Sequence, residues 1–163
     1  MPVDLITVRL STAADLASLH AREAHPGAHL AERHFERQQA GDYFFALAER
    51  GDTILGFCAL DCDTSRPLCP ELKSLWVYPE FRRQGAAAAL TTFLEDRAAE
   101  RRFVEVFLRV DPENAAAIPM YISLDYSPTG DHVLTTYESV DGTGSFHTTE
   151  QRDAVYRKSL LAR

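Results

Sequence analysis

The chain has 163 residues, of which 45% are hydrophobic and 25% charged, and its formal net charge is −7. That length and composition suit one ordinary globular domain with a core, spanning residues 1–163. The negative balance argues against a general nucleic-acid or anionic-membrane binder, which needs a basic face. Along the chain, "DLITVRL" (Asp4 to Leu10) alternates apolar and polar residues and predicts a strand. "STAADLASLHAREA" predicts a helix with Ser11 or Thr12 as N-cap, Asp15 in the first turn and Pro26-Gly27 as its break. "AHLAERHFERQQAG" predicts a second helix, with Leu30, His34 and Phe35 along one side and Gly41 as a stop.

"DYFFALAERGDTILGFCALD" predicts a hairpin, Tyr43 to Glu49 and Thr53 to Asp61, with "RGDT" as its turn. Thr64 to Pro70 is a loop. Glu71 to Pro79 is a strand, with Leu72, Ser74, Trp76 and Tyr78 on one face and Glu71, Lys73, Leu75 and Val77 on the other. A helix from Gly85 repeats apolar residues at Leu90, Phe93, Leu94 and Ala98. Phe103 to Val110 is a strand. "DPEN" is a turn that places Asn114 at the N-cap of a short helix, "AAAIPMYISL". "DYSPTGD" is a loop, and the remainder gives two strands around a polar loop, Ala154 to Leu161 being the clearer one.

The order βααβββαβαββ contains a central strand–helix–strand unit. It predicts an α+β, three-layer fold: a mixed, mostly antiparallel sheet of six to seven strands with one parallel pair and helices on both faces. There is no run of 18 apolar residues, so no membrane span is expected. "MPVDLITVRLS" has no basic region leading into an apolar one, so no secretory signal is expected. The three cysteines, Cys58, Cys62 and Cys69, read as reduced thiols of a cytoplasmic protein.

The compact cationic stretch "EFRRQGAAAALTTFLEDR" carries the chemistry. Backbone N–H groups at a helix start lack intrahelical partners, and the helix dipole is positive there. Gly85 permits close approach and unusual backbone angles. Ala86, Ala87 and Ala88 keep the first turn thin, and Arg82 and Arg83 add charge. A strand followed by R-x-x-G-x-A and a helix makes a plausible phosphate cradle. A basic loop that merely caps a tightly packed helix fits the same residues. The stretch is neither a P-loop nor a dinucleotide fingerprint.

In its wider context, "ELKSLWVYPEFRRQGAAAALTTFLEDRAAERRFVEVFLRV" followed by "NAAAIPMYISLDY" resembles the GNAT superfamily of acetyl-CoA-dependent N-acetyltransferases. The resemblance covers most of the chain. Arg82-Arg83-Gln84-Gly85-Ala86-Ala87 is similar to the family's Q/R-x-x-G-x-G/A signature. The resemblance implies the acyl-CoA N-acyltransferase fold, with the parallel pair splayed. It implies that this segment's amides bind the pyrophosphate of acetyl-CoA, used as co-substrate. It also implies that the Leu75-Trp76-Val77 backbone binds the pantetheine arm, with the Val77 N–H polarising the thioester. Asn114 and Ala117 would contact the cofactor, Tyr121 would sit near the sulfur and protonate it or give it a hydrogen bond, and Glu71, directly or through a water, would be the base near the amine. The chain departs from the family at Asp125-Tyr126, where "GF" is usual, and at Pro119 inside the short helix. Asp accepts positive φ more readily than most residues.

The implied reaction is direct attack of a primary amine, on a small molecule or a protein, on the thioester within a ternary complex. A homodimer is compatible with the family. A non-catalytic acyl-CoA-binding module, or a domain for another phosphate ligand, remains an alternative at this level. No metal is expected. His25 and His29 are separated by Pro26-Gly27 and share no helical face, His20 and His34 read as surface or half-buried, and Asp61 and Asp63 complete a cysteine zinc set poorly.

Overall fold

A computed structural model describes residues 5–24 and 26–161; Asp4, at the predicted start of the first strand, and His25 lie outside the described residues. The strands are β1 (Thr7–Leu10), β2 (Tyr43–Arg50), β3 (Thr53–Asp61), β4 (Glu71–Val77), β5 (Glu105–Val110), β6 (Ser127–Val140) and β7 (Phe146–Ser159). The α-helices are α1 (Leu16–Ala21), α2 (Leu30–Ala40), α3 (Ala86–Glu100) and α4 (Ala117–Ser123). They form one sheet in the order β1-β2-β3-β4-β5-β7-β6, antiparallel throughout except for the β4–β5 pair.

Two apolar layers cover the sheet. On one face, Leu90, Leu94 and Ala98 of α3 pack on Ala46, Ala48, Leu55, Leu60, Leu72, Val106 and Leu108. On the other, Leu19 of α1 and Ala31 of α2 pack on Tyr43, Phe45, Leu47 and Ala59. β2 is buried on both faces, which is why "YFFALA" is a continuous apolar run rather than an alternation. Thr12 opens the first helical segment, where its N–H and hydroxyl meet Asp15 Oδ2 at 2.7 and 3.1 Å.

β4 and β5 pair on two rungs, Glu71 with Phe107 and Leu72 with Leu108, and then separate. β4 also does not alternate as its sequence suggests. Phe57 faces Trp76 but Ala59 faces Lys73, so β4 carries one extra residue opposite Cys58. Ser74 takes this up as a bulge at φ 58°. After it, the side-chain parity is reversed. Leu72, Leu75 and Val77 share the α3 face. Trp76, whose partner Phe57 packs on the α1–α2 layer, falls on the opposite face from Leu72.

Two further expectations change. "SPTG" is the start of β6, its irregular register between Pro128 and His132 absorbed at Gly130, φ 90°. β7 begins at Phe146, earlier than the predicted Ala154, because the polar stretch before it pairs fully with β6. Asp125 adopts the positive φ its position needs, 73°. Pro119 lies in the first turn of α4, where its missing N–H costs no intrahelical bond.

Candidate active site

Where β4 and β5 part, a cleft of about 770 Å³ opens between β4 and α4. Its walls include Leu75, Trp76 and Val77 of β4, Arg82, Arg83, Gly85, Ala86 and Ala87 at the start of α3, and Asn114, Ala117 and Tyr121 at α4. Apart from Tyr121, expected near the sulfur as a catalytic group, these are the residues expected from the sequence to hold a cofactor; of that set Gln84 is not among the lining residues.

The α3 start is shaped as a bare helix end. Gly85 is its N-cap with φ 96°, a left-handed conformation that a side chain rarely adopts. A Cβ there would meet nothing within 4 Å, so the constraint on Gly85 is one of backbone angle. No side chain caps this helix end, which leaves its first N–H groups for a ligand. The cleft lining holds Arg82 and Arg83 and no carboxylate. Arg82 is partly committed to the strand: its Nε donates to the Val77 carbonyl at 2.8 Å, and its guanidinium lies 4.7 Å from the Trp76 ring.

The β4 backbone also faces the cleft. Tyr78 N–H donates to Leu55 O at 3.0 Å, so Gly56 and Val77 form a non-hydrogen-bonded antiparallel pair. The N–H and C=O of Val77 therefore point away from β3, toward the side that β5 has left. Gly56 makes the β3–β4 approach close enough: a Cβ on it would lie 2.4 Å from the Trp76 carbonyl oxygen. Opposite, Asn114 Oδ1 accepts the Ala117 N–H at 3.0 Å and fixes the start of α4. Burial pushes the Tyr121 phenol up to about 12, so it stays protonated at neutral pH.

A second cavity, of about 370 Å³, lies on the α1–α2 face and shares Leu75 and Trp76 with the first. Phe45, Phe57, Trp76, Tyr78, Leu19 and Leu30 give it an apolar, aromatic wall, with Arg22, Glu23, His34 and Ser74 as its charged or polar members. Arg22 stacks 3.7 Å from the Tyr78 ring centroid. His34 Nδ1 and the Tyr43 hydroxyl share a hydrogen bond of 2.6 Å. Burial, with Lys73 and Arg37 nearby, lowers the His34 pKa to about 4, so the ring is neutral at physiological pH. Neither His34 nor these aromatic residues was among the site residues expected from the sequence. The run of aromatic residues at 43–45 and 57 was the available signal.

Glu71 is corrected. It lines neither cavity. Its carboxylate is buried and held by Arg109 of β5, Nε to Oε2 at 2.8 Å and the second guanidinium nitrogen to Oε1 at 3.3 Å. Five residue steps of strand put it about 15 Å from Trp76, beyond direct proton transfer to an amine there.

His20 and His34 are half-buried, as expected, and the reading of His25 against His29 lies outside the described residues. Across the Pro26-Gly27 break, His20 and His29 stack at 5.5 Å beside Glu32.

A sequence profile of the acetyltransferase (GNAT) family matches residues 12–126. No curated protein matches the chain at the sequence level. Among solved structures, it is similar to the ribosomal-protein-S18-alanine N-acetyltransferase of Escherichia coli, at 21% identity and TM-score 0.67, over 96% of this chain and 94% of that one. It is similar to PaiA N-acetyltransferase of Thermoplasma acidophilum in complex with coenzyme A, at 18% identity and TM-score 0.65, over 95% and 99% of the two chains. It is also similar to the spermidine/spermine N-acetyltransferase SpeG of Vibrio cholerae, at 17% identity and TM-score 0.66, over 94% and 92%. These likenesses give the fold, and the profile, matching well over half of the chain, gives the family: the chain belongs to the acetyltransferase (GNAT) family.

Proposed function

We propose that the protein transfers the acetyl group of acetyl-CoA to a primary amine by direct attack within a ternary complex. The observation that carries this reading is the pair of cavities meeting at Leu75 and Trp76. A thioester threaded along β4 from the bare, cationic start of α3 would present its carbonyl where the two cavities join. The family and the coenzyme A bound to PaiA N-acetyltransferase support acetyl-CoA as the donor.

In this reading the first N–H groups of α3, with Arg83, hold the pyrophosphate. The Val77 N–H hydrogen-bonds the thioester oxygen and stabilises the oxyanion as the amine nitrogen adds to the carbonyl carbon. The carbon–nitrogen bond forms, the carbon–sulfur bond breaks, and the proton lost by nitrogen reaches sulfur through water. Tyr121, fixed as a neutral phenol, donates a hydrogen bond to the departing thiolate. An amine of pKa near 10 is only about one part in a thousand unprotonated at pH 7. The neutral His34 adds no positive charge against that amine. Glu71 acts by position, holding the apex of the cleft through Arg109.

The aromatic wall of the second cavity favours an amine carrying an apolar or aromatic group, on a small molecule or at an exposed protein site. A polyamine is favoured less: the one lining carboxylate, Glu23, has an oxygen taken by the Ala31 N–H at 2.8 Å. Calorimetric titration with coenzyme A tests the donor half. Wild type should bind and Gly85→Glu should lose at least tenfold in affinity; no binding by wild type, or equal binding by both, overturns it.

A further inference from the structure

The end of α1 and the start of α2 carry the same spacing twice, His20-x-x-Glu23 and His29-x-x-Glu32. The first pair spans the end of α1 and the second the N-cap and first turn of α2, and the fold brings the two together. His20 Nδ1 lies 3.1 Å from Glu23 Oε2 and 3.4 Å from Glu32 Oε1. His29 Nδ1 lies 4.0 Å from Glu32 Oε1. One ligand atom from each of His20, His29 and Glu32 falls within 4.8 Å of the others.

These contacts are close without being hydrogen bonds. Four buried side-chain polar atoms lack a hydrogen-bond partner among the described residues, and three of them are here: His20 Nδ1, Glu23 Oε2 and Glu32 Oε2. The Glu23 side chain is 9% exposed, so one of its oxygens is buried beside an imidazole nitrogen that is not aligned to donate to it. Orphaned polar atoms of this kind are costly. A shared cation would satisfy His20 Nδ1 and Glu23 Oε2, which lie 3.1 Å apart, and take Glu32 as a further ligand. A tetrahedral ion with bonds of 2.0–2.1 Å holds its ligand atoms about 3.3 Å apart, near the spacing already present.

We propose that His20, His29 and Glu32, joined by Glu23, form a site for a divalent transition-metal ion of the zinc class. Two imidazole nitrogens with carboxylate oxygens suit that class, whereas magnesium and calcium prefer oxygen ligands throughout. The ion would tie α1 to α2 across the wall of the second cavity, which Glu23, Leu30 and Ala31 line. The inference is independent of the acetyl-transfer reading, because its readout is metal binding itself.

The test uses tag-free full-length protein, stripped with a chelator and titrated with Zn²⁺ by calorimetry and with Co²⁺ by visible absorption. The expected result is one ion per chain, a tetrahedral Co²⁺ spectrum, and a thermal midpoint raised by Zn²⁺. His29→Asn, at an exposed position, and Glu32→Gln should each weaken binding at least tenfold and remove the Co²⁺ bands while keeping the wild-type circular dichroism. Affinity should also fall on acidification, because the metal needs deprotonated ligands. Failure of wild type to bind at one ion per chain, or equal binding by wild type and both variants, overturns the site.

Discussion

Arg109 grips the Glu71 carboxylate with two guanidinium nitrogens, across the two rungs on which β4 and β5 remain paired. Just past that contact the strands separate and the cleft begins. The ion pair is buried on the Glu71 side and half-buried at Arg109, and it pins the vertex of the opening. Glu71→Gln is expected to lose about 3 kcal/mol of folding stability, since an uncompensated guanidinium remains. Urea unfolding checks this. In the same variant, kcat/KM should keep rising tenfold per pH unit below the pKa of the amine, as in wild type. A flattened pH profile would restore Glu71 as the base.

Gly56 sets how closely β3 can run beside the part of β4 that faces the cleft. A Cβ there meets two backbone atoms, Trp76 O at 2.4 Å and Val77 Cα at 2.9 Å, and neither can swing aside. Gly56→Ala should cost about 2 kcal/mol through overpacking. It should also reduce affinity for coenzyme A, because the displaced strand carries the Leu75–Val77 backbone. Unfolding curves and calorimetry give the two numbers.

Burial makes His34 a pH-dependent weak point in the fold. Its pKa is about 4 in the folded protein and about 6.5 in an unfolded chain. Between those values the unfolded chain binds more protons, so stability is full above pH 6.5 and falls as the pH drops toward 4. The loss approaches 3 kcal/mol as an upper bound. His34→Gln should flatten the dependence in this window, measured by urea midpoints at half-unit steps.

Tyr126 and Glu95 form a buried pair under α3. The tyrosine hydroxyl donates to Glu95 Oε2 at 2.8 Å, and Lys158 donates to Oε1 at 3.0 Å. Tyr126→Phe should cost about 2 kcal/mol, because the carboxylate loses a donor it cannot replace from water. Glu95→Gln, which keeps the shape, should be unfolded at lower urea as well. Neither change should alter the affinity for coenzyme A.

Most elements were legible because their signals are local: the hairpin turn "RGDT", the glycine at the α3 start, the asparagine at α4, and the strand–helix–strand order that forces a parallel pair. The bulge at Ser74 was not. A serine at positive φ carries no turn signature, and the alternation of "ELKSLWVY" reads equally well unbroken. The ion pair of Glu71 was hidden for a different reason, since its partner Arg109 is 38 residues away and the contact depends on the parallel register. Glu95 did leave a trace, as a carboxylate within the buried stripe of Leu90, Thr91, Leu94 and Ala98. The second cavity draws on five separate segments, and only the fold assembles it.

The most direct measurement is thiol release from acetyl-CoA across a panel of aromatic, aliphatic and polyamine acceptors, with the acetylated amine identified by mass spectrometry. Wild type should release one thiol per acetylated amine and favour acceptors with an apolar group, and Tyr121→Phe should lower kcat about a hundredfold with coenzyme A affinity unchanged. Background release with every amine by a wild-type protein that still binds coenzyme A would contradict the account.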